Sequence, residues 1–331
     1  MMGPQYPLIY MSTTFEPDSA FLLKKGEFYS QLSYILLNTY VFSNNSDKYN
    51  NPGGDSTIFN NINDTTGYSI YFDGEINRRF SRIHYGYSEN LEIHLTYREL
   101  RFINGNLDTT IESFHKMLGI GNQSRGNTDI NLLEVYVYNN KTGEVVFKVT
   151  NESKKFHQES ITFGFKYGLK ETKDEALSFT ISTNFNDQYI ESGINEIAST
   201  SATDHKNFND YSFSLHYSSI FPDWTLYAAF SKASLGNSLF VEAPNELYYF
   251  FLGANWHLNE NWDWLVQALE YSSPYPEDNV SFINADILEV FSAFRWLVNE
   301  SFTMEMGLIE NQSQGPQNID IAFFSTFMLS F

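Results

Sequence analysis

Along most of the chain, apolar residues alternate with polar or small ones at a period of two, in runs of strand length separated by turn and loop sequences. From Glu27 to Phe42 the even row carries Phe28, Leu32, Tyr34, Leu36, Tyr40 and Phe42, and the odd row Glu27, Gln31, Ser33 and Thr39. Between Tyr68 and Tyr85 the pattern sets Ile70, Phe72, Gly74 and Ile76 on one side and Asp73, Glu75, Asn77 and Arg79 on the other. Arg78 and Arg82 depart from it and are expected near an interface, where long cationic side chains reach out of apolar surroundings. A short turn leads to Leu91, Ile93, Leu95 and Tyr97 opposite Glu92, His94, Thr96 and Arg98. The same rhythm continues through Ile161–Tyr167, Leu177–Phe185, Tyr211–Tyr217, Trp224–Phe230, Asn245–Trp256, Leu288–Trp296 and Phe302–Leu308. From Trp262 to Tyr271 both rows are apolar, which leaves the facing of that strand open.

The connections alternate in length. Long polar loops at 43–67, 103–159 and 186–209 are separated by turns of a few residues at 86–88 and 169–176, and the order persists to the end. Short turns on one side and long loops on the other are the asymmetry of an outer-membrane barrel, which a soluble sandwich does not require. The fold class expected is all-β: a transmembrane antiparallel β-barrel of about twelve strands, with both ends of the chain on the periplasmic side. The last stretch, Ile319 to Phe331, puts Phe331, Leu329, Phe327, Phe323 and Ile321 in one row. It resembles the closing-strand signal of bacterial outer-membrane barrels, so Phe331, Leu329 and Phe327 are the expected assembly signal and the barrel-assembly machinery an expected partner.

Two segments fall outside the rhythm. Residues 1–26 contain Pro4, Pro7 and Pro17 without sustained alternation, and are expected to be an irregular periplasmic or lumen-lining segment preceding a barrel at 27–331. Within the long loop 103–159, Ile111, Phe114 and Leu118 recur at helical spacing, with Asp108 and Glu112 at the start and Gly119 and Gly121 at the end. A short helix over about 105–122 is predicted, capping or plugging the barrel mouth, followed by a hairpin around Asn139 to Gly143.

Composition agrees with a barrel. Phe, Tyr and Trp make up 17% of the residues while mean hydropathy is −0.34; no apolar run approaches the length of a spanning helix, whereas a barrel needs apolar residues at every second position only. The aromatic excess, including Trp224, Trp256, Trp262 and Trp296, has its place in interfacial girdles. The absence of cysteine excludes disulfides and thiolate metal sites. A net charge of −20 argues against nucleic acid as a partner and suits acidic loops that meet divalent cations. Outer-membrane lipids and lipopolysaccharide are the expected surroundings. Met1 to Pro7 shows neither a basic nor an apolar leader region, so no signal peptide is expected within this sequence.

Asp73-Gly74-Glu75, followed by Leu107-Asp108, Ile111-Glu112, Phe114-His115 and then Gly119, Gly121 and Arg125, resembles an uncharacterised family of proteobacterial proteins known only as a domain of unknown function. The resemblance is specific over about residues 70–125, and it implies an outer-membrane setting but no activity.

The candidate chemistry is sparse. Asp73, Glu75, Arg79, Glu92, His94 and Arg98 are expected to form a charge network in the lumen, because ionised groups in a narrow interior need partners. A cation held by Asp73, Glu75, Glu92 and His94 is the less favoured reading, and no metal or cofactor is expected. Asp108, Glu112 and His115 share a helix face by their spacing and are weak catalytic candidates, while Ser113 turns away from His115. The leading expectation is therefore a channel or transporter for a small or apolar solute, plugged or gated by the loop helix. A lipid-modifying enzyme using His115, and a surface scaffold or adhesin with acidic loops, are the alternatives.

Overall fold

A computed structural model describes residues 1–5, 15–42, 68–118, 130–186, 198–200, 208–235, 246–273, 286–312 and 319–331. Its elements are β1 (Phe28–Phe42), β2 (Tyr68–Ser88), β3 (Leu91–Ile103), α1 (Asp108–Leu118), β4 (Glu134–Asn139), β5 (Glu144–Val149), β6 (His157–Glu171), β7 (Glu175–Asn186), β8 (Ala198–Thr200), β9 (Phe208–Ile220), β10 (Trp224–Ser234), β11 (Glu246–His257), β12 (Trp262–Tyr271), β13 (Ile287–Asn299), β14 (Phe302–Asn311) and β15 (Ile319–Ser330). Twelve strands form a closed antiparallel barrel in the order β1, β2, β3, β6, β7, β9 to β15, with β15 returning to β1. Closure runs to the ends of the two strands: the backbone N–H of Phe28 donates to the Phe331 carbonyl and the N–H of Phe331 to that of Phe28, both at 2.9 Å. Closing the sheet leaves no unpaired edge in the membrane.

Turns of a few residues join β2 to β3, β6 to β7, β9 to β10, β11 to β12 and β13 to β14, all at one end, taken as periplasmic. At this end all five tryptophans gather: Trp224, Trp256 and Trp264 stack in sequence, and Trp262 lies over Trp296 at 5.8 Å. Their amphipathic rings suit the interface between hydrocarbon and water. Above them the outward rows carry Leu32, Leu95, Phe165, Ile181, Phe213, Leu252, Phe294 and Phe327, all exposed on the lipid side. At the opposite end β4 continues the line of β3 beside β2, and β4, β5 and β8 extend the wall beyond the barrel.

The open facing of β12 resolves to Asp263, Leu265, Gln267, Leu269 and Tyr271 inward and the two tryptophans outward. Both rows are apolar because this part of the lumen is itself apolar. For the same reason the facing expected for β2 is reversed. Arg78, Phe80, Arg82 and His84 point inward and are buried, whereas Ile83, Tyr85 and Tyr87 on the odd row face lipid. Arg78 and Arg82 therefore do not reach for an interface. They are lumen residues, and Phe72 and Ile76 join the inner apolar cluster instead of the lipid face.

Candidate functional site in the barrel lumen

The inner wall is divided along its height. Toward the short-turn end it presents Gln31, Arg82, His84, Glu92, Ser178, Ser218, Asn255, Asp263, Arg295 and Glu305; farther up it presents Ile35, Leu37, Ile76, Phe102, Tyr249, Phe251, Leu265, Leu269, Phe291, Ile309 and Phe324. Both levels are occupied by the N-terminal segment. Met2 packs into the apolar cluster and exchanges backbone bonds with the Gln267 side chain. The backbone N–H of Gln5 donates to both carboxylate oxygens of Glu289 at 3.0 Å, and Arg78 donates to the Pro4 carbonyl and the Gln5 side chain while pairing with Glu159. Phe15 stacks on Tyr249 at 5.2 Å.

Below Phe15 the contacts become ionic. The Glu16 carboxylate pairs with Arg98, with Arg82 at 2.9 Å, and accepts from the Thr96 hydroxyl at 2.8 Å. Asp18 accepts from the Lys166 ammonium at 2.7 Å. The backbone of Ala20 then donates to Ser218 and that of Leu23 to Glu92. The segment leaves the lumen against β2, where Gly26 donates to the Gly86 carbonyl. A Cβ on Gly86 would lie 2.0 Å from the Lys24 carbonyl oxygen, so only glycine permits this approach. The cavities left beside Glu16 have room for about one water each.

Of the six residues expected in a lumen network, Glu92, His94 and Arg98 are there. Glu92 bonds His84 at 2.6 Å and Lys166 at 3.1 Å, and His94 stacks on His84 in space that Gly164 leaves open. Asp73, Glu75 and Arg79 are corrections. They share the odd row of β2 with the lipid-facing Ile83 and Tyr85, so they lie on the outer face, where Arg79 pairs with Glu99. Asp73 and Glu75 thus cannot join Glu92 and His94 around a cation. The residues sequence reasoning missed are Glu16, Asp18, Lys166, Arg82 and Glu159, which lie on β2, on β6 and on an irregular segment whose path no periodicity reveals.

Among the described residues, Asp18, His84 and Glu92 bring ligand atoms within 4.8 Å of one another, a separation that suits a metal. The Lys166 ammonium, however, touches both carboxylates. The charge that a metal would supply is already present, so the site as built does not fit one.

The helix α1 forms where predicted, but its first turn is tied to the outer face. The backbone N–H groups of Asn106 and Leu107 donate to Glu75, and Asp108 accepts from Asn38 at 2.9 Å and from the Asn131 backbone at 2.7 Å. Asn38 and Glu75 face each other on adjacent strands in the row of the exposed Tyr34. Of the two positions expected, capping the mouth or plugging the lumen, the contacts of this turn do not favour the second; spacing locates a helix but not the side of the wall on which it docks. Asp108 is committed to these capping bonds, and the Ser113 hydroxyl donates to the Thr109 carbonyl. Glu112 is part-exposed on the helix. The side chain of His115 lies outside the described residues, as does the loop 186–209 apart from β8 and the start of β9.

Among solved structures, the chain is similar to an outer membrane channel from Pseudomonas putida F1, with a TM-score of 0.55 and 8% identity over 96% of this chain and 100% of that one. Lower similarity is found to the Ralstonia pickettii toluene transporter TbuX, with a TM-score of 0.41 and 8% identity over 93% of this chain and 90% of that one. The Pseudomonas putida toluene transporter TodX gives 0.41 and 7% identity over 99% and 98%. At 8% identity the first of these likenesses establishes the fold alone, that of an outer-membrane barrel. None of the curated proteins matches the chain. The sequence pattern of one family runs over residues 1–326, and the chain belongs to it: the outer-membrane barrel family described as Protein of unknown function (DUF3187).

Proposed function

We propose that the protein is an outer-membrane channel for a small apolar solute, closed by its own N-terminal segment and not by the loop helix. The observation that carries this reading is the match between segment and wall. Met2 and Phe15 fill positions among Tyr249, Phe251, Leu265, Leu269 and Phe291, while Glu16 and Asp18 sit on Arg82, Arg98 and Lys166. An apolar upper lumen serves an apolar solute better than a sugar or an ion, because burying polar groups there without partners costs free energy. A solute that enters from outside takes the apolar slots that Met2 and Phe15 occupy, and it passes when the segment withdraws.

Planar-bilayer conductance and uptake of an aromatic hydrocarbon into proteoliposomes test this together. The intact protein and a variant lacking 105–122 are expected to conduct alike and weakly. A Glu16→Gln/Asp18→Asn variant is expected to conduct more and to admit the hydrocarbon faster. Opening by the helix deletion alone, or no pore in any of the three, sinks the proposal.

A further inference from the structure

The outer face of β2 and β3 changes character abruptly. Rising from the short-turn end, β2 shows lipid Tyr87, Tyr85, Ile83 and Ser81, and β3 shows Leu91, Ile93, Leu95 and Tyr97. The next outward residues are Arg79 and Asn77 on β2 and Glu99 and Arg101 on β3, paired across the ladder. A tilted strand crosses the hydrocarbon in about 9–11 residues, and Leu91 to Arg101 is of that length. Charges on the lipid face are strongly disfavoured at the midplane and tolerated at the interface. This band therefore marks the headgroup level, and since it lies away from the short turns, the headgroups are those of the external leaflet.

Within the band, Phe156 lies beneath both guanidiniums, 4.1 Å from that of Arg79 and 5.3 Å from that of Arg101. The ring holds the two cations side by side. Glu99 takes one edge of Arg79, whose side chain stays 43% exposed. Arg101 has no carboxylate partner among the described residues, and its Nε is buried without a hydrogen bond. The exposed Lys154 and Lys155 precede Phe156 in the chain. On a protein with net charge −20, this is a cationic patch.

We infer that this patch binds the phosphate of a phosphorylated glycolipid of the outer leaflet, with the acyl chains lying down the apolar rows of β2 and β3. Two guanidiniums at one level present forks that match phosphate oxygens, which ammonium groups do less well. The site is separate from the lumen and does not depend on the solute carried.

The test is native mass spectrometry of the purified protein with bisphosphorylated lipid A, its dephosphorylated form, phosphatidylglycerol, and inorganic phosphate as competitor. Lipid A is expected to bind at least about tenfold more weakly to Arg79→Gln/Arg101→Gln than to the unaltered protein, as loss of charge-assisted bonds requires. Lys232→Gln, on distant β10, is expected to leave binding unchanged. If the double variant does not fold, as judged by gel mobility before and after heating, Arg101→Lys replaces it; it keeps the charge, loses the fork and is expected to bind several-fold more weakly. Equal binding by the variants, equal retention of dephosphorylated lipid A or phosphatidylglycerol, or full displacement by inorganic phosphate at lipid-like concentration overturns the inference.

Discussion

Replacing Glu16 by Gln removes one carboxylate from beneath two buried guanidiniums. In the closed barrel the Glu16, Arg82 and Arg98 side chains are each less than 10% exposed, so water does little to screen the loss. Breaking a buried pair from one side costs about 3–5 kcal/mol, most of it the penalty for the charge left behind. That penalty falls on the closed state, because once the segment has left, Arg82 and Arg98 face water in either protein. At the lower bound the closed-to-open ratio falls on the order of 10²-fold. The chain has no cysteine, so Ser19→Cys reports the opening cleanly. Where opening and closing are fast, the rate of modification by a water-soluble maleimide tracks the open population. Modification of Ser19→Cys is expected to be about a hundred times faster in the Glu16→Gln background. Equal rates in the two backgrounds, with the denatured proteins reacting alike, would refute the claim that this carboxylate holds the segment in place.

Two further outcomes are expected from close contacts in the same wall. A Cβ on Gly164 would lie 2.4 Å from the His94 ring and 2.9 Å from the Ser182 side chain, so Gly164→Val is expected to lose about 1–3 kcal/mol or more to overpacking, read as a lower temperature for the folded-to-unfolded gel shift. Removing the Lys166 ammonium leaves Asp18, His84 and Glu92 without their resident cation; Zn²⁺ is expected to raise the unfolding temperature of Lys166→Ala and to leave that of the unaltered protein where it is.

Strand positions and loop asymmetry were legible because lipid imposes a strict rule on the outer row: Leu95, Phe213 and Phe327 must be apolar whatever lies inside. The inner row obeys no such rule. Where the lumen is polar, as at Glu92, His94 and Arg98, alternation shows its facing. Where the lumen is apolar, the signal fails. Phe72 and Ile76 then look like lipid residues, and Asp73, Glu75 and Arg79, which sit on the outer face under α1 or at the headgroup level, look like lumen residues. Arg78 and Arg82 marked the error, since two interior arginines on the even row fit the reversed facing without exception. The Glu16 and Asp18 contacts were beyond reach for a different reason. They join an irregular segment to strands more than sixty residues away, as with Glu16 and Arg82, and no local pattern encodes such a pairing.

The electrostatics of the lumen make segment and barrel one unit. At the level of Glu16 the wall contributes Arg82, Arg98 and Lys166 against Glu92, an excess of cations in a space too narrow to hydrate them freely. Glu16 and Asp18 supply the missing carboxylates. Elsewhere the wall pairs its own charges, as Arg78 with Glu159 and Arg295 with Glu305; around Glu16 the match is made by the segment. Withdrawal of the segment, as proposed, would expose this cationic group beneath an apolar chamber, in a protein whose overall charge is strongly negative. In the proposed channel this cationic group opposes passage of cations while leaving a neutral apolar solute unaffected, so the residues proposed to hold the channel shut would also select which ions accompany the solute.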